Sequence, residues 1–212
     1  MKIEWPSVYE KNKELINLTP KQNLIFRSAI HLFATKGFAT TSTQEIANLA
    51  QVSEGTLFKK FNNKNQLLSM IIKPLAIELL PKDPLNLVKS DPINLSDFVF
   101  SFVNNRVNFI NRNILSIKIL IKEITYNQTL TDKFLSWVPK ERINEFNYLL
   151  SILKEQKEIV NWPDSEIMRF LLSEMTGYVI HHYFFRCDKE WKDSEEINRI
   201  INFTIKGLTP EA

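Results

Sequence analysis

Residues 42–68, STQEIANLAQVSEGTLFKKFNNKNQLL, constrain the fold more than any other stretch of the chain. Ser42 followed three residues later by Glu45 is a capping box, in which hydroxyl and carboxylate each satisfy a backbone N–H that a helix start leaves unpaired. It opens a helix of only about seven residues, with Ile46, Ala47 and Ala50 on its buried side. The small Ala47 lets a neighbouring helix approach closely. Val52 plugs the turn, and Ser53 caps a second helix from Glu54 to Phe61 with Leu57 and Phe61 facing inward. Asn62 and Asn63 break it, and a further helix begins near Lys64 with Leu67, Leu68, Ile71 and Ile72 before Pro74. Two short helices in this relation predict a helix-turn-helix over residues 43–61, a unit whose second helix enters the major groove of DNA.

The flanking sequence supports that frame. Thr19 and Gln22 form another capping box, with Pro20 at the first helical position. A helix is expected from Pro20 to Lys36, with Ile25, Ala29, Leu32 and Phe33 inward and Gly37 ending it. Ser7 and Glu10 predict a short helix over residues 8–17. The arm before Pro20, with Trp5, Lys11 and Lys13, either contacts DNA or packs on its own subunit.

Charge is distributed unevenly. Residues 1–73 carry ten Lys/Arg against five acids, whereas the remainder carries 17 against 19. A basic head on a slightly acidic body suits a head that meets phosphates, although a solvated basic face reads the same way. Thr43 adds a hydroxyl donor, and Lys59, Lys60 and Lys64 cluster where their ammonium groups reach one strand. Base reading falls to Gln44, Glu54, Gly55, Thr56 and Phe58. Gln44 suits an adenine edge, Glu54 accepts from cytosine N4, and Thr56 and Phe58 touch a thymine methyl. Gly55 lets backbone approach closely.

The elements Leu32-Phe33, Gly37-Phe38, Thr41-Ser42, Ile46-Ala47, Val52-Ser53, Gly55-Thr56-Leu57, Phe61, Lys64 and Leu67-Leu68 resemble the N-terminal domain of the TetR family of bacterial transcriptional regulators. The resemblance runs over residues 20–70 and through four successive helices. It implies an all-α chain with a DNA-binding domain over residues 1–73 and a larger helical ligand-binding and dimerisation domain over 74–212. It also implies a homodimer on a pseudo-palindromic operator, released by a small inducer, with DNA contacts at Thr43, Gln44, Gly55, Thr56, Phe58, Lys59, Lys60 and Lys64. Three departures stand out. Gln51 occupies a turn position where glycine is usual, Phe58 replaces the commoner tyrosine, and Glu54 is acidic where the family is often basic or neutral.

Beyond the connector around Pro81, Pro84 and Pro92, the periodicity predicts helices over 94–112, 113–127, Thr131–Ile159 (kinked or interrupted at Pro139), 164–187 and 194–207. The segment FLLSEMTGYVIHHYFFRC is apolar nearly all round, which suits burial against both its own core and a partner. With the Ile197, Ile201, Ile205, Leu208 stripe it predicts a four-helix dimer interface involving Met175, Val179 and Tyr183; the alternative is a monomer with a large closed core. Phe98, Phe102, Phe109, Tyr126, Trp137, Phe146, Tyr178 and His182 suit either an apolar ligand pocket or ordinary core packing.

Nothing points to catalysis: no nucleophile–base pair, phosphate loop or paired-carboxylate site stands out. His181 and His182 diverge by about 100° on a helix, so no metal site is expected, nor any cofactor. Lone Cys187 permits no intramolecular disulfide and suits a reducing cytoplasm. With no apolar run long enough to span a bilayer, a soluble cytoplasmic protein is expected. The expected partners are double-stranded operator DNA, a small apolar or amphipathic inducer and a second copy of the chain. The rival readings are a ligand-independent DNA-binding structural or nucleoid protein, and a helical carrier or enzyme.

Overall fold

The computed structural model describes residues 6–10, 17–88, 91–185 and 193–211. Eleven α-helices and no strand occur among them: α1 (Pro20–Thr35), α2 (Thr43–Leu49), α3 (Glu54–Phe61), α4 (Lys64–Ile77), α5 (Pro84–Leu87), α6 (Leu95–Arg112), α7 (Ile114–Ile124), α8 (Gln128–Trp137), α9 (Lys140–Glu155), α10 (Asp164–Phe184) and α11 (Asp193–Leu208). The chain divides into two compact units, one of Met1–Leu79 with Asn111–Pro139, the other of Leu80–Ile110 with Lys140–Ala212. The boundary expected between residues 73 and 74 differs from this division: the first unit runs on to Leu79 and takes in α7 and α8 from further along.

In the first unit the predicted caps form. The Thr19 and Ser42 boxes are both closed reciprocally, and the Ser53 side chain accepts from Thr56 N–H. Asn63 caps α4, and Pro74 lies inside that helix. Ile25, Phe26, Phe33, Ile46, Ala47, Leu57, Phe61, Leu67 and Ile71 are wholly buried. Helix α7 packs against α1 and α4, and α8 packs against α4. The residue Gln51 adopts φ 55°, the left-handed conformation expected where relatives carry glycine. That conformation costs a residue with a Cβ about 1 kcal/mol, whereas glycine gains chain entropy on unfolding worth rather less. Gln51→Gly is therefore expected to raise stability by about 0.5 kcal/mol and Gln51→Val to lower it, measurable as opposite shifts in denaturant midpoint.

The N-terminal arm differs from expectation. Ser7–Tyr9 is a single 3-10 turn with no side-chain cap, so Ser7 and Glu10 form no capping box; residues 11–16, with the rest of the expected helix and both arm lysines, lie outside the described residues, as does Trp5. The box fails because Ser7 Oγ is engaged elsewhere, accepting from Asn113 Nδ2 at 3.3 Å. Val8 N–H donates to Asn113 Oδ1 at 2.9 Å. Tyr9 is completely buried, its ring edge-on to Phe26 at 5.2 Å. The described part of the arm packs on its own chain.

In the second unit α5 packs against α9, and α10 against α11. Phe98, Phe102 and Phe146 interlock with ring centroids 5.7–5.9 Å apart, all essentially inaccessible. The long helix expected over Thr131–Ile159 is two helices, because Pro139 cannot donate and Asn127 starts α8 earlier by capping Leu130 N–H. Met175, Val179 and Ile201, expected on an intermolecular face, are buried within this single chain, while Tyr183, Ile197 and Ile205 are half-buried. Cys187 lies outside the described residues.

Candidate nucleic-acid interface

Helices α2 and α3 are held as a rigid pair. Val52 N–H donates to Ala47 O at 3.0 Å across the turn. On the outer surface Gln44, Gly55, Lys59 and Lys60 are exposed, Thr43, Glu54 and Thr56 are half-buried, and Phe58 is 41% exposed. A Cβ added at Gly55 would meet nothing nearer than Ser53 Oγ at 3.9 Å. Internal packing therefore does not require glycine there, and the bare backbone leaves room for something outside the protein. Gln44 Nε2 rests on Asn48 Oδ1 at 3.0 Å, a bond that exposed groups exchange readily. No ion pair engages Lys59 or Lys60 among the described residues, and both lie in the last turn of α3, where the helix dipole favours cations.

Two expected contacts prove committed elsewhere. The Lys64 ammonium donates to Phe38 O at 2.8 Å and Thr41 O at 2.9 Å, and lies 4.4 Å from the Phe38 ring centroid. It closes the loop between α1 and α2 instead of standing free for phosphate. The Thr43 hydroxyl donates to Glu54 Oε1, linking the starts of α2 and α3. Lys36 pairs with Glu45, and that hydrogen bond, with the Ser42 backbone bond, pulls the Glu45 carboxyl down to about 2. The capping box therefore stays ionised and closed at any ordinary pH.

Sequence reasoning missed the support from α7. Lys122 Nζ donates to Ala34 O at 2.9 Å, meeting the negative end of α1. Glu123 accepts from Phe38 N–H in the same loop; partial burial raises its pKa above the ordinary 4.5, opposed by that bond and by Lys64 and Lys122. No local pattern signals these contacts, because |i−j| is 88 for the Lys122 bond. A carboxyl with a raised pKa contributes stability below its unfolded value that is lost as pH rises through the folded one. Glu123→Gln is therefore expected to be the more heat-stable protein at pH 7, with the difference closing below pH ~4, when unfolding midpoints are compared from about pH 3 to about pH 8.

The residues expected to wall a pocket divide between the units, Tyr126 and Trp137 in the first and the other six in the second. Phe98, Phe102 and Phe146 form solid core. Phe109 lies beneath the Arg106 guanidinium at 4.8 Å, and Tyr178 stacks on His182 at 5.4 Å. Tyr126 is 93% exposed, at the turn after α7, and Trp137 is half-buried at the end of α8. An open polar recess of about 270 Å³ lies beside α4 and α8, lined by Asn65, Ser69, Asn127, Thr129 and Lys133 among others, and none of the expected pocket residues borders it.

Residues 25–71 match the family model described as bacterial regulatory proteins, tetR family. Over these residues the chain carries the N-terminal DNA-binding domain of the TetR type. It is 27% identical over 175 residues to the transposon Tn10 TetC protein of Escherichia coli, covering 81% of this chain and 82% of TetC. Over 55 residues, 26% of this chain and 29% of the relative, it is 38% identical to the uncharacterized HTH-type transcriptional regulator YvkB of Bacillus subtilis. Among solved structures, the fatty acid degradation regulator FadR of Bacillus halodurans superimposes with TM-score 0.68 at 18% identity, covering 92% of this chain and all of FadR. The TetR-family regulator PfmR of Thermus thermophilus gives TM-score 0.65 at 18% identity, over 86% of this chain and 97% of PfmR. These structures share the fold, a helix-turn-helix head followed by a larger helical body. The TetR family is one of transcriptional regulators rather than enzymes. No described helix of the chain is long and apolar enough to cross a membrane.

Proposed function

We propose that the chain is a TetR-family regulator, a cytoplasmic repressor that binds a pseudo-palindromic operator as a homodimer and leaves it when a small apolar or amphipathic ligand occupies the body. The observation that carries the reading is the outer face of α2 and α3: Gln44, Gly55, Phe58, Lys59 and Lys60 stand exposed on a frame whose caps and core are closed. Gln44, Glu54, Thr56 and Phe58 read base edges, and Lys59 and Lys60 bind phosphate.

A homodimer is supported by the outward side of α10 and α11. Ser173, Thr176 and Gly177 make an exposed strip of small residues on α10, and nothing lies within 4 Å of a Cβ built at Gly177. Phe203 projects from α11, 62% exposed. A strip of small residues on one helix and a projecting aromatic on the helix packed against it suit a self-complementary contact under two-fold symmetry. The dimer face then lies one helical step around from Met175, Val179 and Ile201. Ligand release works by spacing: two recognition helices bind together only when about 34–36 Å apart, so a ligand that prefers another spacing shifts the population off DNA.

The closed packing of Phe98, Phe102 and Phe146 favours a second reading, a ligand-independent DNA-binding protein whose body only dimerises. Selection of genomic fragments by the purified protein, repeated with a metabolite library, tests both. Enrichment of a two-fold symmetric site that one metabolite class abolishes supports the repressor. Enrichment indifferent to every metabolite supports the second reading, and no enrichment removes both.

A further inference from the structure

We propose that Glu54 reads the exocyclic amine of a cytosine in each operator half-site, and that Thr43 fixes its carboxylate for the task. This rests on the DNA-binding reading above. Glu54 is the first residue of α3, the end of a recognition helix that meets base edges. It is half-buried, not free to sweep the solvent. The Thr43 hydroxyl donates to Oε1, so one oxygen is tied across the helix-turn-helix, and no other side-chain hydrogen bond holds the carboxylate among the described residues. Oε2 keeps its lone pairs for a donor outside the protein. Gly55, next in sequence, has nothing nearer to a Cβ position than Ser53 Oγ at 3.9 Å, which leaves space for a base pair to approach.

The chemistry then selects the base. An ionised carboxylate only accepts hydrogen bonds. In the major groove guanine presents N7 and O6, and thymine presents O4, all acceptors that repel it. Adenine offers its N6 amine beside the N7 acceptor. Cytosine offers its N4 amine with an acceptor, the O6 of its paired guanine, on one side only, and a C–H on the other. Near phosphates a carboxylate weakens binding to every sequence, which Lys59 and Lys60 offset; only the matched base recovers what it loses. Glu54 therefore acts mainly by rejecting wrong bases. Thr43 is a positioning residue, since removing its hydroxyl frees the carboxylate to turn away.

Selection from a fully random duplex library, with deep sequencing of the bound pool, tests this using the full-length protein and its Glu54→Gln, Glu54→Ala and Thr43→Val variants. The wild type is expected to enrich cytosine at one position per half-site by roughly tenfold or more over the other bases. Glu54→Gln, whose amide both donates and accepts, should turn that position to adenine. Glu54→Ala should leave it without preference while all other positions keep theirs, and Thr43→Val should weaken the cytosine preference there. Identical base preferences in the wild type and both Glu54 variants would overturn the proposal while leaving DNA binding intact. A wild type that enriches no sequence would instead remove the DNA-reading assignment itself, and this inference with it.

Discussion

Lys59→Ala combined with Lys60→Ala is expected to lower operator affinity by roughly 30-fold per head at 0.15 M salt, and the log–log salt slope by about two units per head. The reasoning is counterion release. Each ammonium on a phosphate frees close to one condensed ion, so two lost contacts flatten the slope by about 1.8. Extrapolated from 1 M salt, where this contribution vanishes, the same two contacts supply roughly 30-fold at 0.15 M. Both lysines are exposed and no described acid holds them, so their charge is available. Lys64→Ala serves as the contrast. Its ammonium closes the loop at Phe38 and Thr41, so its loss should lower the unfolding midpoint and leave the salt slope almost unchanged. Fluorescence anisotropy titrations from 0.05 to 0.3 M salt separate the two. An unchanged slope in the double variant would remove the phosphate assignment, and a flattened slope in Lys64→Ala would show that the Phe38–Thr41 contacts break on DNA.

Tyr9→Ala is expected to cost about 3–5 kcal/mol, the largest stability effect of any single change considered. The ring is fully enclosed against Phe26, so truncation leaves a ring-sized void. The hydroxyl is equally committed. It donates to Ile71 O at 3.1 Å, which spends its one proton, so Ser116 donates in turn across 2.6 Å. Burial pushes the phenol pKa well above its ordinary value, only partly offset by the Ser116 bond, so no accessible pH ionises it. Tyr9→Phe keeps the ring and loses only these bonds, leaving the buried Ser116 hydroxyl without this acceptor at about 1–3 kcal/mol. The two variants should therefore rank in that order by thermal unfolding, with Tyr9→Ala melting roughly 10 °C below the wild type. A midpoint within 2 °C of the wild type would show that the arm is not docked in solution.

The head was legible because its instructions are local. Thr19 with Gln22, Ser42 with Glu45, and Ser53 each satisfy backbone groups within three residues, so spacing along the chain states the bond that forms. The positive φ at Gln51 followed from one absent glycine. Where the reading failed, a distant residue had captured a local one. Ser7 caps nothing because Asn113 holds it, |i−j| being 106. Lys64 resembles a phosphate ligand in sequence, yet two carbonyls from residues 23 and 26 positions earlier take its protons. In the body, an aromatic at helical spacing means only that a face is apolar. Core and cavity share that pattern, and only the 5.7–5.9 Å separations of Phe98, Phe102 and Phe146 identify packed core.

By itself, then, the sequence determined where the helices of the head start and stop, which faces they bury and that their outer side is basic, because capping and amphipathic burial act over three or four residues. Only the tertiary structure decided which polar groups remain available at that surface. A hydroxyl or ammonium makes few bonds, and whether an interior partner reaches it first depends on elements far apart in the chain. By that rule Lys59 and Lys60 face outward, Lys64 turns inward, and Glu54 keeps one oxygen for whatever enters the groove.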